Sequence, residues 1–184
     1  MLRGPLVFLP VLGSPLAHAP VLALDLAPAL RRPLDLGLEW RGKRLLGPNK
    51  TWRGALVMLA GTLGATVLLS RRPAYWRRLP PEVQRAGPSR LGLVLGAGVV
   101  LGELPNSFVK RRLGVPPGGR SRSPTGGLLT IFDQADFVPV VWLLLLPDWR
   151  MPARDALVSF VAVAAVHVPV NLIGYAIGAR ETKV

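Results

Sequence analysis

At 184 residues, half of them apolar, with a mean hydropathy of +0.38 and a formal charge of +13, the chain is too apolar for an ordinary soluble domain, and its charge is not evenly spread. Cysteine is absent, which excludes disulfides, thiolate metal sites and cysteine nucleophiles together. Lys and Arg fall in clusters divided by stretches almost free of charge, the pattern of a membrane protein; no recognised nucleic-acid module accompanies them, so no nucleic acid is expected as a partner.

Uncharged runs predict five spans, at residues 4–24, 54–70, 91–102, 137–147 and 156–179. The fold class that follows is all-α, a polytopic transmembrane helical bundle forming one domain over residues 1–184 of the chain. Crossing a hydrocarbon core of about 30 Å takes roughly 20 helical residues, so the first and last runs suffice alone and the middle three must borrow from their flanks.

The first run carries Pro10, Pro15 and Pro20 and is expected as a kinked helix, because each proline removes a backbone donor. With only Arg3 before it, and Asp25 and a proline-rich segment after it, it reads as a retained helix rather than a cleaved signal. The loop at residues 31–53 holds seven basic residues and ends in Gly47-Pro48-Asn49-Lys50-Thr51-Trp52-Arg53-Gly54. Backbone N–H groups at a helix start, with Lys50, Thr51 and Arg53, would make an anion site for phosphate at the membrane surface. The bland alternative is a basic anchor with an interfacial tryptophan.

Six basic residues fill residues 71–90, where Tyr75 and Trp76 suggest a segment lying along the headgroup interface. The third run, extended through Glu103 toward Val109, leads into Ser107-Phe108-Val109-Lys110-Arg111-Arg112. Glu103 could take a metal, with the basic trio facing polyphosphate or a lipid headgroup; alternatively Lys110 or Arg111 could pair with it structurally. Extending the fourth run back to Leu128 draws in Asp136 and Asp133. In a helix that i, i+3 spacing puts both acids on one face, about 5–6 Å apart at Cβ, where they could hold Mg²⁺ together with substrate phosphates or simply favour a helix N-terminus. Carboxylates at this depth cost a few kcal/mol unless paired, hydrated or metal-bound, and usually mark function.

The last run bears His167, Asn171 and Tyr175; with His18 the only other histidine, a multi-histidine zinc site is excluded. Gly61 with Ala65, Gly92 with Gly96, Gly98 with Gly102 and Gly174 with Gly178 are expected at close helix contacts. If the loops at 31–53 and 106–127 share a side with the C-terminus, that side carries 14 basic residues against nine on the other, which favours cytoplasmic basic loops, a cytoplasmic C-terminus and an outside N-terminus.

Taken together, these clusters resemble the CDP-archaeol synthases, a family related to the CDP-diacylglycerol synthases. Arg32-Pro33-Leu34-Asp35, Arg44-Leu45-Leu46-Gly47 and Lys50-Thr51-Trp52-Arg53-Gly54 resemble that family's first cytoplasmic loop. Ser107 to Gly114 resembles its basic signature, Asp133-Gln134-Ala135-Asp136-Phe137 its acidic one, and His167 to Asn171 with Tyr175 and Gly178 its last helix. Glu103 stands where the family commonly has Asp, and Val138-Pro139 where it has a small pair. The resemblance implies a multi-pass enzyme of the cell membrane that transfers a cytidylyl group from CTP to a lipid phosphate, of diether or diacyl type, with Mg²⁺ as cofactor. It implies catalytic roles for Asp133, Asp136 and Lys110, metal ligation by Glu103, Asp133 and Asp136, and substrate contacts from Asn49, Lys50, Thr51, Arg53, Ser107, Arg111, Arg112, His167 and Asn171. The extended Asp-rich signature of CDP-alcohol phosphotransferases is absent. A non-catalytic lipid-binding or scaffolding membrane protein is the competing reading.

Overall fold

The structure, a computed structural model, describes residues 3–116 and 135–176 of the chain. Besides a short 3-10 turn at Pro28–Leu30, seven helices appear among them: α1 (Gly4–Ala23), α2 (Trp52–Ser70), α3 (Pro73–Trp76), α4 (Pro81–Ala86), α5 (Pro88–Arg112), α6 (Phe137–Leu145) and α7 (Ala153–Ala176). Of these, α1, α2 and α5 are long and apolar enough to cross a membrane, and α7 runs for 24 residues. The break expected in α1 is a 3-10 stretch, Leu9–Leu12, that includes Pro10. The third predicted span grows to 25 residues and carries Glu103, Ser107, Lys110 and Arg111 within one helix. The fourth shrinks: α6 has nine residues, about 14 Å, too short to cross alone, and the extension back to Leu128 lies outside the described residues.

Small residues set the helix spacing, as in bundles that associate by backbone proximity rather than by bulk hydrophobicity. A Cβ on Gly61 would overlap the Gly13 carbonyl of α1, one on Gly92 or Gly96 would press on Leu63 or Leu59 of α2, and one on Gly98 or Gly102 would run into Val141 or Phe137 of α6. Gly174 and Gly178 fall where no side-chain surroundings are described. The core lies between α1, α5 and α6, with Val7, Leu95, Val99, Val138 and Val141 buried. Outward-facing leucines stay exposed, Leu16 at 75% and Leu68 at 62%, as hydrocarbon-facing positions in a bilayer would be. Gly102→Ala should lower the unfolding midpoint by an amount equivalent to about 1–3 kcal/mol, because the new methyl meets backbone that cannot step aside. Gly64→Ala, where nothing lies within 4 Å, should be neutral or slightly stabilising; thermal scans in detergent compare the two.

The loop between α1 and α2 departs from all-α. Glu39–Trp40 and Lys43–Arg44 pair as a two-stranded antiparallel hairpin, turning through Arg41 and Gly42, both at positive φ, the backbone a two-residue hairpin turn requires. Length and hydropathy could not reveal it, since four residues of strand leave no period to read. The hairpin docks on the C-terminal end of α5. The Arg112 guanidinium donates to the carbonyls of Trp40, Lys43 and Arg44, and Lys43 Nζ donates back to the Arg112 carbonyl at 2.9 Å. Trp40 stacks on Phe108 at 5.7 Å with Arg112 against both rings. These contacts put the loop at 31–53 and the end of α5 at one end of the bundle.

At the opposite end, residues 71–90 are anchored to the bundle. Leu79 and Val83 are buried, and the Tyr75 hydroxyl donates to the Leu6 carbonyl at 3.0 Å; burial pushes that phenol's pKa up. Arg90 pairs with Asp148 at 3.0 Å, tying the start of α5 to the turn after α6.

Candidate functional site

Where α2 begins, the chain runs beside itself: Leu34 N donates to the Lys50 carbonyl and Trp52 N to that of Arg32, which fixes the approach of Gly47 to Thr51. Thr51 then caps α2, its hydroxyl accepting from Gly54 N at 3.1 Å, the usual service of a threonine at this position. Asp35 holds the same loop from inside. It is 4% exposed and accepts from the Arg44 guanidinium and from the N–H groups of Gly37, Leu46 and Gly47. Burial works against its ionised form, yet Arg44 and the three amides win and hold its pKa down to about 2.

That scaffold presents Asn49, Lys50 and Thr51 to a cleft of about 160 Å³ closed by Glu103, Val100 and Leu104 of α5 and by His18 of α1. Lys50 Nζ reaches across it to Glu103 Oε2. Glu103 therefore pairs with a lysine of the preceding loop, and not with the basic run that follows it. Both partners keep partial solvent access, 24% and 31%. The cleft thus combines an α2 N-terminus, a cation, a carboxylate and polar side chains beside apolar walls, suited to an anionic ligand with a hard cation.

Asp136 stands at the N-cap of α6. Asn106 Nδ2, one turn along α5 from Glu103, donates to Asp136 Oδ2 at 3.2 Å. Since Gly102 abuts the backbone of Phe137, α5 and α6 meet where each carries its acid. Asp133 lies outside the described residues, so the predicted shared face of Asp133 and Asp136 is not described. Among the described residues no three His, Cys, Asp or Glu side chains gather to hold a metal. Glu103 and Asp136 are nevertheless hard oxygen donors near neighbouring positions of one helix contact, and Mg²⁺ takes only one or two carboxylates, completing its shell with water and substrate phosphate. The donor set fits such an ion.

The other expected substrate residues divide. Ser107 is 7% exposed within α5. Lys110 and Arg111 follow on the same helix, and Arg111 has Nε and Nη1 buried without a hydrogen-bond partner among the described residues. Arg53 turns away from the cleft: at 8% exposed, it donates to Asp25 at 2.8 Å and to the Leu26 carbonyl at 3.0 Å, and Arg31 shares Asp25. Arg112 is engaged by the hairpin, as above. His167 does not line the polar cleft; it lies in an apolar groove of about 190 Å³ between α1 and α7, with Phe8 and Val163, its ring edge-on to Phe137 at 6.3 Å. The Asn171 side chain is not described.

Sequence reasoning passed over three residues. His18 is one, and an ionisable side chain inside an apolar span is itself a signal of function. Asp25 and Asp35 are the others, acids in an arginine-rich loop, which is a signal of pairing, but the spacing names no partner.

The sequence matches the CarS-like CDP-archaeol synthase family over residues 29–184. The CDP-archaeol synthase of Pyrococcus horikoshii is 32% identical over 151 residues, 81% of each chain, and that of Halobacterium salinarum 36% identical over 158 residues, 82% of each. Among solved structures, an intramembrane enzyme for archaeal membrane lipids biosynthesis shares the fold, with a TM-score of 0.65 and 25% identity over 91% of both chains.

Proposed function

This chain belongs to the CDP-archaeol synthase family, and from that membership we propose that it is a multi-pass enzyme of the cell membrane that transfers the cytidylyl group of CTP to a lipid phosphate. A phosphate oxygen of the lipid attacks the α-phosphorus of CTP, the new P–O bond forms, the bond from the α-phosphorus to the bridging oxygen breaks, and pyrophosphate leaves. The observation that carries this reading is the family match over residues 29–184, to which the structure adds a polar cleft at the start of α2 where Lys50 and Glu103 meet.

Such a transfer asks little covalent work of the protein; positioning and neutralisation of charge supply the rate. Lys50, the α2 amides capped by Thr51, and Asn49 bind the triphosphate in the cleft, with Arg111 and Lys110 toward the lipid phosphate or the departing pyrophosphate. Arg53 and Arg112 act one step back, holding α1 to α2 and the hairpin to α5. Mg²⁺ would be held by Glu103, Asp136 and Asp133, and when bound it supplies neutralisation of the phosphate charge. Lys50 resting on Glu103 keeps that carboxylate satisfied before the ligand arrives. The scaffolding alternative is not favoured by relatives that are themselves named as synthases.

The test supplies purified protein with CTP, Mg²⁺ and a panel of diether and diacyl glycerol phosphates, and follows pyrophosphate. Release with at least one lipid phosphate is expected, and the preferred member identifies the substrate; no release with any would end the enzymatic reading. Lys50→Ala should reduce kcat/KM for CTP by about 10- to 100-fold, the loss of one charge-assisted contact to phosphate; an unchanged value would remove Lys50 from the site.

A further inference from the structure

The end of the bundle opposite the cleft carries a feature that nucleotide transfer does not use. Residues 71–90 join the end of α2 at Ser70 to the start of α5 at Pro88, two helices able to cross a membrane. The segment is therefore held at the depth where hydrocarbon gives way to headgroups. Its apolar side is built into the protein, with Leu79 and Val83 buried, Tyr75 bonded to Leu6, and Gln84 Nε2 bonded to the Leu79 carbonyl at 2.7 Å. Its other side is cationic. Arg71, Arg72, Arg77, Arg78 and Arg85 are all exposed, and none of them makes an ion pair among the described residues. Glu82 is the sole acid in the segment.

We propose that this rim is a docking surface for anionic phospholipid headgroups. Five guanidinium groups on a backbone fixed by burial repel one another when nothing negative is near, and each presents a planar fork that matches the paired oxygens of a phosphate. A solvated charge run would need no anchoring; here Leu79, Val83 and Tyr75 hold the segment against the core, so the order required for headgroup binding is already present. Zwitterionic headgroups offer the same phosphate with a compensating cation, whereas anionic ones leave their charge uncompensated, so the rim distinguishes the two. The surface is independent of the reaction, because it lies at the other ends of α2 and α5 from Lys50 and Glu103.

Thermal unfolding of the full-length protein in nanodiscs tests this. With phosphatidylcholine replaced by phosphatidylglycerol for about a third of the lipid, the midpoint of the natural sequence should rise by roughly 5 °C, and the rise should shrink in high salt. Changing Arg71, Arg72, Arg77, Arg78 and Arg85 together to Gln should remove at least half of that rise and leave the turnover of CTP unchanged. If that variant does not fold, the double change Arg77→Gln with Arg78→Gln is read the same way, with a smaller loss expected. A full rise in the folded variant, or no rise in the natural sequence, would overturn the proposal. Inorganic phosphate added to phosphatidylcholine nanodiscs separates the two sources of anion: an arginine-dependent rise with phosphate alone would overturn the rim as a lipid surface.

Discussion

Asp136→Asn is expected to lower the rate of pyrophosphate release by about 100-fold or more, the size of effect seen when a group that stabilises charge in a transition state is removed. The substitution keeps shape and removes charge. Asp136 sits at the N-cap of α6 and accepts from the Asn106 amide; an asparagine there still offers a carbonyl oxygen to that amide, so the contact of α5 with α6 should persist. Loss of turnover with an unchanged thermal midpoint would therefore report on the carboxylate's charge and not on the fold. Raising Mg²⁺ should recover part of the rate if the charge serves a cation, since weaker binding is offset by mass action. An intact rate in Asp136→Asn would remove the residue from the reaction and with it the proposed metal position.

The second large effect is on stability. Asp35→Ala should destabilise the loop by about 3 kcal/mol, because Arg44 and three backbone N–H groups lose their common acceptor in a buried place. The damage should reach the cleft, since Leu46 and Gly47 lead directly to Asn49 and Lys50; KM for CTP should rise in the variant more than kcat falls. Asp35 also sets an acid limit. Its folded pKa of about 2 lies below the usual value near 4, so the unfolded chain binds the proton more readily between those values, and stability rises with pH through that window. The contribution is complete above about pH 5 and is lost as the pH falls toward 2. Proteolysis of the 31–53 loop in detergent, followed from pH 6 downward, should quicken in that window for the natural sequence and be pH-insensitive there for Asp35→Ala. A loop equally resistant in both would show that the carboxylate does not hold it.

Runs of uncharged residues located α1, α2 and α7 to within a few residues, and the start but not the charged end of α5, because a helix in hydrocarbon must satisfy its own backbone and so advertises itself by length and by the absence of charge. Gly61, Gly92, Gly96, Gly98 and Gly102 were legible as close contacts for a similar reason: a missing side chain at regular spacing has meaning along one helix before any partner is known. The fourth span is described only as the nine helical residues Phe137–Leu145, with Asp136 at their start, and the stretch back to Leu128 that would complete it lies outside the described residues. The hairpin at Glu39–Arg44 was invisible, being too short for any period.

The order of the basic and acidic clusters, the exclusion of a multi-histidine or cysteine metal site, and the placing of each cluster beside a hydrophobic run were determined by the sequence alone, since each is a property of composition or of neighbours along the chain. Which cation meets which acid was decided only by the tertiary structure. Arg53 and Lys50 are three residues apart, yet one turns to Asp25 and the other to Glu103, while Arg112 spends its guanidinium on the hairpin carbonyls and His18 arrives at the cleft from another helix. With 23 basic and ten acidic side chains, many pairings are open to long flexible cations, and the selection among them is made by where the glycine contacts bring the helices together.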